Sequence, residues 1–132
     1  MKFLTTLICA VMLALPSNAQ QKEIQGVISS QLQSFLEDDF TTAFTFAAPN
    51  IKKMFGTPER FARMVAQGYP MVHRPAEVQF QSLSKHAEGF NQDVLLRDVQ
   101  GNYFVAHYTM TQNDGVWQIS GVSIEKLPGV GV

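Results

Sequence analysis

Cysteine is almost absent from this chain. Cys9 is the only one, and it sits inside an apolar N-terminal run. Beyond residue 19 there is none, which excludes disulfides, a thiol nucleophile and thiolate metal ligands from the rest of the chain. Charge is also sparse, at 16% of residues, with no long block of either sign. Lys2 is the only charged residue among the first nineteen, so the remainder carries nine basic and eleven acidic residues and a net charge of −2. That balance gives no global attraction to nucleic acid or to an anionic membrane. No serine-centred nucleophile elbow, phosphate-cradling glycine loop, metal-binding helix motif, internal repeat or low-complexity tract is present. The well-marked chemistries are therefore excluded, which leaves unmarked ones open.

What is present starts at the N-terminus. Met1-Lys2 is a short basic start, Phe3 to Leu15 is an uncharged apolar run, and Pro16-Ser17-Asn18-Ala19 is a small-residue exit. That order reads as a secretory signal peptide over residues 1–19, cleaved after Ala19. The apolar run is about 13 residues, roughly 20 Å as a helix, against a bilayer core of about 30 Å, so it is too short to span. Leu7-Ile8 before Cys9 lacks the small residue that lipid attachment needs, and Cys9 reads as one more apolar residue of the signal. The expected product is one domain over residues 20–127 with a loose tail at 128–132. It is located in the periplasm or secreted, with no membrane association after cleavage.

Hydrophobic periodicity divides this product into a helical half and a strand half. Ile24, Val27, Ile28, Leu32, Phe35 and Leu36 fall on one helix face. Asp38-Asp39 breaks that helix, and a second, short one buries Phe40, Ala43, Phe44 and Ala47 before Pro49-Asn50 stops it. Ile51 to Phe55 reads as one helical turn ended by Gly56. Thr57-Pro58-Glu59 opens a further helix that buries Phe61, Met64 and Val65, with Gly68 as its left-handed terminator.

After Arg74-Pro75 the period becomes two. Strands are expected at Glu77–Gln81, around Val94-Leu95-Leu96 (covered on both faces), at Tyr103–Met110 and at Trp117–Ile124. The short turns at Ala87-Glu88-Gly89, Gln100-Gly101-Asn102 and Asn113-Asp114-Gly115 make neighbours antiparallel. Trp117 and Ile119 are out of phase with Val122 and Ile124, which places a bulge at Ser120-Gly121. The layout is α+β: N-terminal helices packed on a bent four-stranded antiparallel sheet, a cone with a mouth.

Three segments carry a resemblance: Val27-Ile28-Ser29-Ser30-Gln31-Leu32 with Asp38-Asp39-Phe40; Phe55-Gly56-Thr57-Pro58; and Gly68-Tyr69-Pro70-Met71-Val72-His73-Arg74-Pro75. Together with the Asp114-Gly115-Val116-Trp117-Gln118-Ile119 close, they resemble the bacterial domain-of-unknown-function family 4864 from Ile24 to Ile124. The resemblance implies a small exported domain with a nuclear-transport-factor-like (cystatin-like) cone. It implies no catalytic residue.

The candidate site residues form a pocket or rim: Tyr69, His73, Arg74, His107, Phe40 and Phe44. Arg74 offers a fork for a carboxylate or phosphate, with Tyr69 and His73 beside it; the plainer reading is a rigid connector and a surface ion pair. His107 can pair with Asp39 or Asp93 as an acid–base couple, or join His73 on a metal; a satisfied or surface histidine needs neither. His86 lies beside a turn and reads as solvated. Asp38-Asp39 can be a carboxylate pair with one raised pKa, or simply helix caps. Lys52, Lys53, Arg60 and Arg63 read as a solvated face, and Phe35, Phe40, Phe44 and Phe46 as core, or as pocket lining if the cone is open.

The expected function is a non-catalytic ligand-binding or accessory protein of the bacterial envelope. Its expected partners are a small apolar ligand in the cone and a second copy through the sheet face. No cofactor, catalytic residue, metal or nucleic acid is expected. The alternative is a cone-fold isomerase, dehydratase or hydrolase using a His/carboxylate pair.

Overall fold

The computed structural model describes residues 17–129. The apolar run and Cys9 of the proposed signal peptide, and residues 130–132 of the tail, lie outside the described residues. The helical half comprises α1 (Asn18–Leu36), α2 (Phe40–Thr45), α3 (Pro49–Phe55), α4 (Pro58–Gly68) and the single turn α5 (Pro70–His73). The strand half comprises β1 (Glu77–His86), β2 (Gly89–Arg97), β3 (Tyr103–Asn113) and β4 (Val116–Lys126). The strands form one antiparallel meander in the order β1-β2-β3-β4.

α1 forms because its apolar residues recur at helical spacing: Ile24, Ile28, Leu32 and Phe35 are all buried in the core. Its N-terminus is closed by a capping box. The Ser17 hydroxyl accepts from the Gln20 N–H at 3.1 Å, and the Gln20 side chain accepts from the Ser17 N–H at 3.3 Å. Cleavage after Ala19 would remove that cap and leave a free α-amino group at the positive end of the helix dipole. The first buried residue is Ile24, so fraying of the first turn would leave the core contact in place.

α1 ends where Asp38 turns left-handed, at φ 54°. Asp39 then caps α2, accepting from the Thr42 N–H at 3.2 Å and the Thr42 hydroxyl at 2.7 Å. α2 ends earlier than the sequence predicts, at Thr45 with Phe46 as its C-cap. Pro49-Asn50 opens α3 instead of stopping α2, because a proline at the first helical position gives up no hydrogen bond. Gly68 is a helical residue and not the left-handed terminator the spacing predicts. Tyr69 ends α4 outside the helical region, at φ −133° and ψ 56°, because Pro70 disfavours the helical region for the residue before it.

One face of the sheet packs on the helices. Phe104, Ala106, Tyr108 and Met110 of β3 are buried, and the alternate set Tyr103, Val105, His107 and Thr109 lies half-buried on the opposite face. Leu95 belongs to that outer set and is also half-buried, while Val94 and Leu96 are fully buried. The Val94-Leu95-Leu96 run is thus covered fully on one face only.

β4 carries its bulge at Ser120. Thr109 pairs with Gly121 and Met110 with Ile119, so Ser120 has no partner residue. The extra residue returns Val122 and Ile124 to the core side occupied by Trp117 and Ile119. A second bulge, at Gln81-Ser82 of β1, is not visible in the sequence alternation. It is held by Gln92, a fully buried side chain whose Nε2 donates to the carbonyls of Gln81 at 3.1 Å and Asp93 at 2.9 Å.

The β3–β4 hairpin turns through Asp114 (φ 50°) and Gly115 (φ 78°), a pair of positive φ values that matches the twist of the strands. Gly89 is glycine for a different reason: a Cβ there would run into the backbone carbonyl oxygen of Met110. Gly89→Ala is therefore expected to destabilise the protein by about 2–3 kcal/mol, measured by urea unfolding. An unchanged midpoint would show that β2 and β3 can part without cost.

Candidate functional site

The helical half does not close completely over the sheet. Between α1, α3, α4 and β4 lies a cavity of about 220 Å³. α1 contributes Gln31 and Phe35, α3 contributes Ile51, Met54 and Phe55, and α4 contributes Phe61, Met64 and Val65. Tyr69 and Val72 close one side. Ile119, Gly121 and Val122 close the other, and Val122 faces the cavity side because of the bulge at Ser120.

Three sets of hydrogen bonds hold this wall in place. The Ile119 N–H donates to the Phe46 carbonyl at 2.9 Å, and the Ala48 N–H donates to the Ile119 carbonyl at 2.8 Å. These bonds dock residues 46–48 alongside β4, with Ala47 bridged in parallel to Ile119. Asn50 of α3 donates to the Ser120 carbonyl at 2.9 Å, and the Ser120 hydroxyl donates to the Thr109 carbonyl at 3.1 Å.

Among the described residues no charged side chain lines the cavity. Its polar side chains are Tyr69 and Gln31. Gln31 is 3% exposed, and its Nε2 donates to the Ala43 carbonyl at 3.1 Å. The orphaned polar atoms of the core, the Tyr108 hydroxyl and Trp117 Nε1, belong to residues outside the cavity wall. Burial pushes the Tyr108 hydroxyl pKa well up, so it stays protonated.

Of the six residues singled out in the sequence, Tyr69 alone lines the cavity. Phe44 packs against Phe61 at 5.2 Å between ring centres, inside the core. Phe40 packs between Phe35 at 6.0 Å and His73 at 5.6 Å. His73 and Arg74 both turn to the end of α1. His73 Nε2 lies 2.8 Å from one Asp38 carboxylate oxygen, Arg74 Nη2 donates to the other at 2.8 Å, and Arg74 Nη1 donates to the Leu36 carbonyl. The His73 hydrogen bond, with the Arg74 charge beside it, holds the Asp38 carboxyl below its ordinary range. Asp38 and Asp39 do not act as a carboxylate pair, because each has its own partners. The Thr42 hydrogen bonds lower Asp39 as well.

His107 stands on the outer face of the sheet, away from the cavity. Its Nδ1 is 2.7 Å from Asp93 and its Nε2 is 3.1 Å from Glu125. Asp93 is its cross-strand partner on β2, and Glu125 lies diagonally on β4. His86 is exposed. Among the described residues no group of three or more histidine, cysteine, aspartate or glutamate side chains is arranged to hold a metal ion.

The cavity residues that sequence reasoning missed are chiefly Gln31, Phe55, Phe61 and Val122. Gln31 carried a signal: it lies three residues after Ile28 and four before Phe35, a polar residue on the buried stripe of α1. Phe55 and Phe61 carried none, because only tertiary packing separates a lining phenylalanine from a core one.

Residues 17–132 match the family described as "Domain of unknown function (DUF4864)". The chain belongs to this family. Among solved structures, the DUF4864 chain is similar to an NTF2-like protein of unknown function from Shewanella baltica. The TM-score is 0.57 at 11% identity, covering 86% of this chain and 98% of that one. It is also similar to Aln2 from a Streptomyces species, with a TM-score of 0.53 at 18% identity, covering 85% of this chain and 94% of that one. At these identities the likeness shows the fold: helices on a four-stranded antiparallel sheet, NTF2-like. No curated protein matches the chain. No helix among the described residues is long and apolar enough to cross a membrane.

The Asp93–His107–Glu125 cluster makes stability depend on pH. The hydrogen bond to Asp93, then that to Glu125, raises the His107 pKa above 6.5. A raised folded-state value means that the stabilisation is fully present below pH 6.5 and is lost as pH rises through the higher folded value. The wild-type melting temperature is therefore expected to fall more between mildly acidic and mildly alkaline pH than that of His107→Gln, measured by circular dichroism. Parallel curves for the two proteins would contradict it.

Proposed function

We propose that this DUF4864 protein is an exported, non-catalytic binding domain of the bacterial envelope that holds a small apolar ligand in the α1–α3–α4–β4 cavity. One observation carries the reading: the cavity wall is apolar and aromatic with no charged side chain. Ligand sites are typically lined in this way, with few polar groups. The N-terminal sequence supports export, with a mature chain beginning at Gln20.

The alternative acid–base reading needs His107 to meet a substrate. Both of its ring nitrogens are engaged by carboxylates, and it stands on the face of the sheet opposite the helices. A general base needs a free ring nitrogen within reach of the reacting proton, so this reading draws less support from the geometry.

The proposal extends to a homodimer through the outer sheet face. There Leu95 and Val105 are register partners, and both are half-buried beside the His107 cluster. Short apolar side chains flanking a paired charge cluster suit a self-complementary contact.

Native mass spectrometry on protein recovered from the periplasm tests the set. The expected mass is that of a chain starting at Gln20, with a discrete bound molecule that is absent from Val122→Trp, in which the indole fills the cavity. Bare wild-type protein that also fails to bind small apolar probes would contradict the ligand reading. A monomeric mass by light scattering at tens of micromolar would contradict the dimer.

A further inference from the structure

The core holds two deeply buried glutamines, and they are used differently. Gln92 is fully committed: its Oε1 accepts from Gln25 at 3.3 Å, and its Nε2 serves the bulge carbonyls of β1. Gln31 is half committed. Its Nε2 donates to the Ala43 carbonyl at 3.1 Å, which sets the orientation of the carboxamide, and its Oε1 accepts no bond from the protein among the described residues. Gln31 is also the one of the two that lines the cavity.

Gln31 Oε1 is not among the buried polar atoms left without a partner, so solvent reaches it through the cavity. A ligand that fills the cavity without a donor would displace that solvent uncompensated, whereas a matching donor replaces it. The cavity offers no cation to an anion and no carboxylate to a cation. Burying a charged group there without a partner would therefore be strongly unfavourable. Its size sets a further limit: at about 220 Å³ it is below the roughly 300–1,000 Å³ of drug-sized sites and above the roughly 150 Å³ cavity that accepts benzene.

We infer that the cavity selects a neutral molecule of about one substituted ring, or a short chain of similar volume, that donates one hydroxyl to Gln31 Oε1. This rests on the ligand-binding reading above and names the class of ligand. The apolar wall takes the body of the molecule by burial, and Gln31 sets its orientation. Phenols and neutral alcohols fit; their carboxylate analogues do not.

The test uses para-cresol and para-xylene, two probes of nearly equal shape that differ by the donor, with para-toluate as the charged control. Affinities are read by titration calorimetry for the wild type and for Gln31→Met. Methionine keeps the length of the side chain and removes the acceptor, and the Ala43 carbonyl retains the Phe46 N–H. Unchanged circular dichroism confirms that the variant folds.

The expected result is that the cresol-to-xylene affinity ratio falls about tenfold in Gln31→Met, the size of one hydrogen bond, and that para-toluate binds neither protein. A ratio that does not change while both neutral probes bind would overturn the assignment to Gln31 and leave the cavity reading standing. Wild-type binding of para-toluate as tight as that of para-cresol would overturn the neutrality argument. Failure of both neutral probes to bind the wild type would overturn the cavity reading itself.

Discussion

Ile119 is the residue on which the rest of the structure depends. Its N–H and C=O are both bonded to the segment between α2 and α3, at 2.9 and 2.8 Å, and its side chain is buried in the core. A β4 edge left free would expose unpaired backbone groups; here part of that edge is occupied by the chain itself. The contact brings α3 against β4. The bulge one residue later, held by Ser120 and Asn50, sets which side chains face inward from there on. Without these two features the helices would rest on a flatter sheet, and the cavity between α1, α3, α4 and β4 would have no fourth wall.

Charge in this protein is arranged so that it stays away from that cavity. Asp38 is held by His73 and Arg74 at the end of α1, Glu77 by Arg97 across β1 and β2, and Asp93 and Glu125 by His107 on the outer face. These clusters are partly exposed, and pairs of this kind contribute little stability each. Their value lies in geometry: the first closes a helix end in a left-handed turn, and the last laces three strands together. Among the described residues the interior is left to apolar packing, two glutamines and Ser34, whose hydroxyl donates to the Ser30 carbonyl. Gln92 serves the fold, whereas Gln31 has one end free.

Much of the fold was legible because it follows from short-range rules. The buried stripe of α1, the Asp39 cap, the proline at the first position of α4 and the bulge implied by Trp117, Ile119, Val122 and Ile124 are consequences of period and local chemistry. The candidate site was far less legible. Tyr69 was found because it stands between Gly68 and Pro70. His73 and Arg74 drew attention through their unusual segment, yet their partners, Asp38 and the Leu36 carbonyl, lie 35 or more residues away in sequence. The β1 bulge was invisible because its cause, Gln92, is on another strand.

The sequence by itself determined the α+β order, the antiparallel meander, the position of the β4 bulge and the apolar character of the interior. Each of these depends on residues within a few positions of one another. Only the tertiary structure decided that His107 faces outward to Asp93 and Glu125, that Phe40 and Phe44 are core while Phe55 and Phe61 line the cavity, and that Gln31 keeps an unpaired acceptor beside it. Those outcomes depend on which surfaces meet across the helix–sheet interface. Periodicity tells which residues share a face, but only the packed fold tells what that face meets.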